Sequence, residues 1–148
     1  MAISHDPRDA TYHGRKTDGS PVLRPMSPHL QVYDMLQLQS AMSISHRITG
    51  VAWALGMLLF VWWLIAAAAG PAAYGTVQAV FGSFIGVLVL IGMTAAAWYH
   101  TLNGVRHLMW DYGSGLNLPM MFRTGHIALA GTAVLTVLTW VIALIVWL

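Results

Sequence analysis

The sequence predicts an all-α integral membrane protein with three transmembrane helices and a soluble N-terminal arm. Three observations predict it. Of 148 residues, 57% are hydrophobic and only 8% charged, against roughly 25% charged in soluble domains. No charged residue stands between Arg47 and Arg106, or after Arg123. All seven Lys and Arg fall toward one side of the resulting layout. The mean hydropathy of +0.65 agrees with this class.

Residues 1–39 form the arm, and 40–148 the membrane domain. The arm carries Arg8, Arg15, Lys16 and Arg24 with Asp6, Asp9 and Asp18. No apolar stretch follows its basic residues closely, so it does not read as a signal peptide. It is expected to be largely irregular up to about Leu23. Pro25 and Pro28 disfavour helix through the residues before them. The segment His29 to Leu38 mixes apolar and polar residues and could lie along the interface.

Three apolar runs follow. Ile48 to Ala69 is 22 residues without a charge, or about 33 Å of helix, enough for a hydrocarbon core of roughly 30 Å. Gly70-Pro71 then interrupts the chain. The second run extends from about Tyr74 to Met109 and carries His100, Arg106 and His107 in its last turns. The stretch DYGSGLNLP, Asp111 to Pro119, reads as a loop from its Gly, Ser, Asn and Pro. The third run is Ile127 to Leu148. The helices are therefore expected at about 40–69, 74–111 and 124–148. With the basic residues on the side of the N-terminus and of the 111–119 loop, the positive-inside rule puts the N-terminus inside and the C-terminus outside.

Composition excludes several chemistries. The chain has no cysteine, which removes disulfides, thiolate metal sites and covalent c-type haem attachment. A redox cofactor held here would need His or Met ligands. The pI of about 9.3 reflects few acids rather than a basic patch, so nucleic acid is not an expected partner.

Two polar constellations remain. On helix 1, steps of about 100° put Ser43, Arg47 and Gly50 on one stripe with His46 beside it. A hydroxyl, a five-donor guanidinium and an imidazole suit a carboxylate, a haem propionate or a quinone carbonyl. They equally suit interface residues reaching lipid phosphates. On helix 2, His100, Gly104, His107 and Asp111 share a line, with Met93, Ala96 and Ala97 extending it deeper. Neutral imidazole beside small residues makes His100 a haem-ligand candidate; a histidine bonded to a neighbouring helix is the plainer reading. His100 and His107 lie about 10.5 Å apart along the axis and cannot grip one iron from opposite sides. A second axial ligand would come from His46, a Met or a partner chain. His126 reads as an interface residue.

The stretches RPMSPHLQVY, SISHRITG and HTLNGVRHLMWD resemble, in order and spacing, the cytochrome b-type larger membrane anchor, the C subunit, of succinate dehydrogenase, respiratory complex II. The resemblance covers about residues 24–148, and residues 1–23 lie outside it. It implies that His100 is an axial ligand of haem b, shared with a smaller sister anchor that supplies the other ligand. It implies that Ser43, Ile44 and Arg47 line a ubiquinone site, and that His46 and Arg47 reach the haem propionates, with His107 in a secondary role nearby. The implied partners are the sister anchor, an iron–sulfur subunit and a flavoprotein subunit. The implied location is a bacterial inner membrane with the N-terminus cytoplasmic, or alternatively a mitochondrial inner membrane. The same residues admit two other readings: a purely structural anchor without haem, and a small channel or transporter subunit with His100 and Asp111 as a proton relay.

Overall fold

The computed structural model describes residues 11–25 and 35–147. Most of RPMSPHLQVY and of the segment expected over His29 to Leu38 lies outside the described residues, as do residues 1–10. Where irregular chain is expected, residues 11–25 form an antiparallel hairpin of β1 (Thr11–Arg15) and β2 (Pro21–Pro25). Its turn is built by side chains: Asp18 Oδ1 accepts from the Ser20 backbone N–H at 2.9 Å and from the Ser20 hydroxyl at 2.7 Å. Gly19 sits at φ +84°, a conformation that glycine adopts without strain.

Four helices follow: α1 (Leu38–Ala69), α2 (Pro71–Phe81), α3 (Phe84–Asp111) and α4 (Leu118–Trp147). α1, α3 and α4 are long and apolar enough to cross a membrane. Their outer faces expose residues such as Leu58, Ile65, Ile85, Val137 and Ile142, and a helix apolar all round is suited to lipid.

The helix expected over about 74–111 is two helices. α1 stops at Gly70, φ +113°, and Pro71 opens α2, where its missing N–H costs nothing. The break between α2 and α3 falls at Gly82-Ser83. The Ser83 hydroxyl donates to Val80 O at 2.6 Å and accepts from Gly86 N–H at 3.1 Å, so one side chain ends α2 and caps α3. α2 folds back on α1, with Tyr74 against Trp63 and Phe81 edge-on to Trp62. The third predicted helix also starts earlier than 124. Asn117 Oδ1 accepts from Met120 N–H at 3.0 Å, and Pro119 lies in the first turn, where helices tolerate it.

α3 is the middle of the bundle and packs on both α1 and α4. Trp98 Nε1–H donates to Thr139 Oγ1 at 3.0 Å, tying α3 to α4. Gly56 of α1 lets Met93 of α3 approach so closely that an added Cβ would overlap its terminal methyl.

Candidate functional site

The site lies where the polar ends of α1 and α3 meet. Gly50 makes the contact possible: a Cβ there would stand 3.0 Å from Cε1 of His100. One turn earlier, His46 stacks on His100 with ring centroids 4.1 Å apart and planes 7° from parallel. His107 meets the same His46 ring at 5.2 Å, tilted by 36°, and is itself edge-on to Trp110 at 4.9 Å. Three imidazoles from two helices thus form one cluster, with His46 in contact with both others.

Tautomers follow from partners. His100 Nδ1 lies 3.1 Å from the backbone oxygen of His46. A carbonyl only accepts, so Nδ1 carries the proton and the neutral ring presents its lone pair at Nε2. Among the described residues nothing hydrogen-bonds that Nε2. His46 Nδ1 is buried without a partner; the tautomer protonated at Nε2 leaves only a bare lone pair there, the less costly orphan.

His46 and His100 thus turn parallel ring faces to each other, with their nitrogens side by side rather than facing across a gap. No three of His, Cys, Asp and Glu among the described residues gather into a metal-sized group.

The remaining predicted residues surround this cluster. Ser43 and Ile44 are half-buried, one turn before His46 and Arg47. Arg47 is exposed and without a partner among the described residues. His107 and Asp111 are exposed on α3. A Cβ on Gly104 would meet nothing within 4 Å, so the space one turn from His100 is open. On the other side of His100, Ala97 and Met93 lead into an apolar cleft of about 640 Å³ that Trp53, Phe60 and Trp98 also line.

The sequence reading missed the face of α3 next to the histidines. Tyr99, Asn103 and Arg106 recur at the four- and three-residue spacing of one helix face, and all three are buried. Asn103 Nδ2 donates to Tyr99 O at 3.0 Å. The Tyr99 hydroxyl donates to Met42 O on α1 at 3.0 Å. Arg106 donates to Thr124 Oγ1 at 3.1 Å, to Met121 O at 2.9 Å and to Gln39 Oε1, with its guanidinium 4.3 Å from the Trp110 ring centre. One guanidinium therefore joins α1, α3 and α4. The spacing was visible in sequence; the acceptors, 15 to 67 residues away, were not.

Residues 21–139 match the family model described as the succinate dehydrogenase/fumarate reductase transmembrane subunit. The chain is 44% identical over 119 residues to the succinate dehydrogenase cytochrome b556 subunit of Paracoccus denitrificans, covering 80% of this chain and 91% of that protein. It is 37% identical over 119 residues to the subunit of the same name in Rickettsia felis, with the same coverage. It is 37% identical over 120 residues to the human mitochondrial succinate dehydrogenase cytochrome b560 subunit, covering 78% of this chain and 67% of that one.

Proposed function

The chain belongs to the family of transmembrane subunits of succinate dehydrogenase and fumarate reductase, and from that footing we propose that it holds haem b through His100 and builds one wall of a ubiquinone-reduction site with Ser43, Ile44 and Arg47. It is a membrane subunit of an oxidoreductase complex. With no cysteine in the chain, iron–sulfur chemistry falls to an iron–sulfur subunit and succinate oxidation to a flavoprotein subunit. A smaller sister anchor would supply the other ligand of the haem. We place it in a bacterial inner membrane, where the charge layout would put the N-terminus in the cytoplasm; a mitochondrial inner membrane with the same face toward the matrix is the alternative.

One observation carries the haem assignment: the bond from His100 Nδ1–H to the His46 carbonyl. Ligating histidines nearly always donate their other ring N–H to such an acceptor, which fixes the tautomer and raises the basicity of the ligating nitrogen. The free Nε2, the open space at Gly104 and the apolar Met93–Ala97 surface fit a flat macrocycle. The relatives' names, cytochrome b556 and b560, support the same group. When bound, it supplies a one-electron redox centre tuned by its axial ligands and burial. His46 orients the ligand ring by stacking. With Nδ1 of His46 buried, any bond it makes to a propionate comes from Nε2. Arg47 and His107, both exposed, provide further donors on that side.

Reduction of a quinone to a quinol takes up two electrons and two protons, and negative charge builds on its oxygens as the electrons arrive. The Arg47 guanidinium stabilises that charge, and the Ser43 hydroxyl donates to a carbonyl oxygen; pre-placed donors of this kind act without reorganising during the reaction. Ile44 packs beside the ring. The test is Arg47→Ala in the assembled complex. Quinone reduction by succinate is expected to fall at least tenfold (~1.4 kcal/mol in the barrier), with succinate oxidation by an artificial dye retained. Unchanged quinone turnover would reject the role.

A further inference from the structure

Tyr99 and His100 are consecutive on α3, and each bonds a carbonyl of α1. The Tyr99 hydroxyl donates to Met42 O at 3.0 Å and His100 Nδ1 to His46 O at 3.1 Å. Each carbonyl shares its rigid peptide plane with the nitrogen of the next residue. Those next residues are Ser43 and Arg47. The two polar side chains assigned to the quinone thus follow directly on the two α1 carbonyls that α3 grips.

We propose that Tyr99 is a positioning residue for the quinone site, its hydroxyl fixing the Met42–Ser43 peptide and thereby the Ser43 hydroxyl. The proposal rests on the reading of Ser43 and Arg47 as quinone-binding. Tyr99 acts through the backbone. The start of α1 depends on such help, because Gln37 gives it no side-chain cap and uncapped first turns fray. The contacts from α3 come at Gln39, Met42 and His46, one after another along the first turns. The Met42 oxygen has a second lone pair beyond its helical bond, so the phenol adds a constraint without breaking the ladder.

The test is steady-state kinetics of the assembled complex with a short-chain ubiquinone, comparing Tyr99→Phe with Ser43→Ala. Tyr99→Phe is expected to raise the quinone KM roughly three- to tenfold, the scale of one hydrogen bond. Dye-coupled succinate oxidation and the reduced haem band should be unchanged. A lowered melting temperature with an unchanged KM would overturn the proposal, since that is what packing alone produces. If Ser43→Ala raises KM and Tyr99→Phe does not, the positioning role falls and the quinone wall stands. If Ser43→Ala leaves KM unchanged, the reading of α1 falls and takes this proposal with it. Should Tyr99→Phe fail to assemble, 3-fluorotyrosine at position 99 keeps the ring and changes the donor strength of its hydroxyl; an unmoved KM there overturns the role.

Discussion

His46 and His100 stack with their ring centroids 4.1 Å apart and their planes 7° from parallel. A ligand ring must be held at one rotation about its bonds to present Nε2 in a fixed direction, and two contacts do that here: the stack and the bond to the His46 carbonyl. His46→Ala removes the stack and keeps the carbonyl. It is expected to lower haem retention two- to tenfold, in line with the ~0.5–1.5 kcal/mol of a ring pair. His46→Phe restores a flat neighbour and should recover most of it. The dithionite-reduced spectrum of the purified complex reports both; equal retention in both variants would show that the stack does not orient His100.

Gly50, on α1 against the His100 ring, and Gly104, one turn further along α3, should respond differently to a methyl group. At Gly50 the added carbon meets His100 Cε1 at 3.0 Å, so the ring must move by a few tenths of an ångström and strain its bond to α1. Gly50→Ala is expected to cost ~1–2 kcal/mol and to shift or broaden the reduced haem band. At Gly104 the carbon meets nothing within 4 Å. Gly104→Ala should leave the folding of this chain intact, or stabilise it slightly through helix propensity. A loss of haem from the Gly104→Ala complex would therefore report a group from outside the chain packed against that turn.

How far the sequence revealed this arrangement depends on what each residue contacts. The three spans were legible because charge is so costly in hydrocarbon that its absence marks them. The stripe of Ser43, His46, Arg47 and Gly50 followed from helical phase. The break at Gly82-Ser83 was not legible, because both flanking segments are apolar and a small residue inside a membrane helix more often signals close packing. Pro119 reads as loop beside Gly113, Gly115 and Asn117, although a proline in a first turn is compatible with helix. Arg106 reads in sequence only as a marker of the inner side, since neither Gln39 nor Thr124 betrays there that it will accept from a guanidinium.

Arg106 should be the costliest of these residues to lose. It is 5% exposed and donates to acceptors on two other helices. Arg106→Met deletes the charge and leaves half-buried acceptors at Gln39 and Thr124 unpaired, at an expected cost of ~2–4 kcal/mol. Arg106→Lys keeps the charge but not the planar fork, nor the flat contact with Trp110, so it should rescue only part of the loss. Thermal unfolding of the detergent-solubilised complex checks the order: wild type above Lys above Met. A Lys variant as stable as wild type would mean that charge alone matters at this position.

The hairpin offers a pH-dependent element outside the spans. The Ser20 hydroxyl and backbone N–H hold the Asp18 carboxyl below its ordinary value. A carboxyl whose folded pKa is depressed adds stability that is present above its unfolded pKa and is lost as pH falls through the folded value. Acidification below the usual carboxylate range should therefore loosen the turn at Lys16–Ser20. Amide exchange at Ser20 in the full-length chain is the measurement, with exchange, corrected for its intrinsic pH dependence, rising as the carboxyl protonates. Asp18→Asn keeps an acceptor oxygen and should remove the pH dependence. If the titration persists in that variant, Asp18 is not its source.

Gly86 shows how strictly the α2–α3 corner is built. A Cβ at this position would fall 2.1 Å from Val80 O and 2.8 Å from the Cα of Phe81. Both are backbone atoms, which cannot rotate aside as a side chain would. Relief would require α2 to swing away from the first turn of α3, breaking the Ser83 bonds to Val80 O and Gly86 N–H. The contacts of Tyr74 and Phe81 with Trp63 and Trp62 would separate with it. Gly86→Ala is therefore expected to destabilise the subunit by ~3 kcal/mol or more, the upper range of overpacking costs. Gly92→Ala, six residues along the same helix with nothing within 4 Å, is the matched control. It should melt at or slightly above the wild-type temperature. Because the corner lies about 21 Å along α3 from His100, whatever Gly86→Ala complex does assemble should keep the wild-type haem spectrum. A normal melting temperature for Gly86→Ala would show that the corner can open without loss.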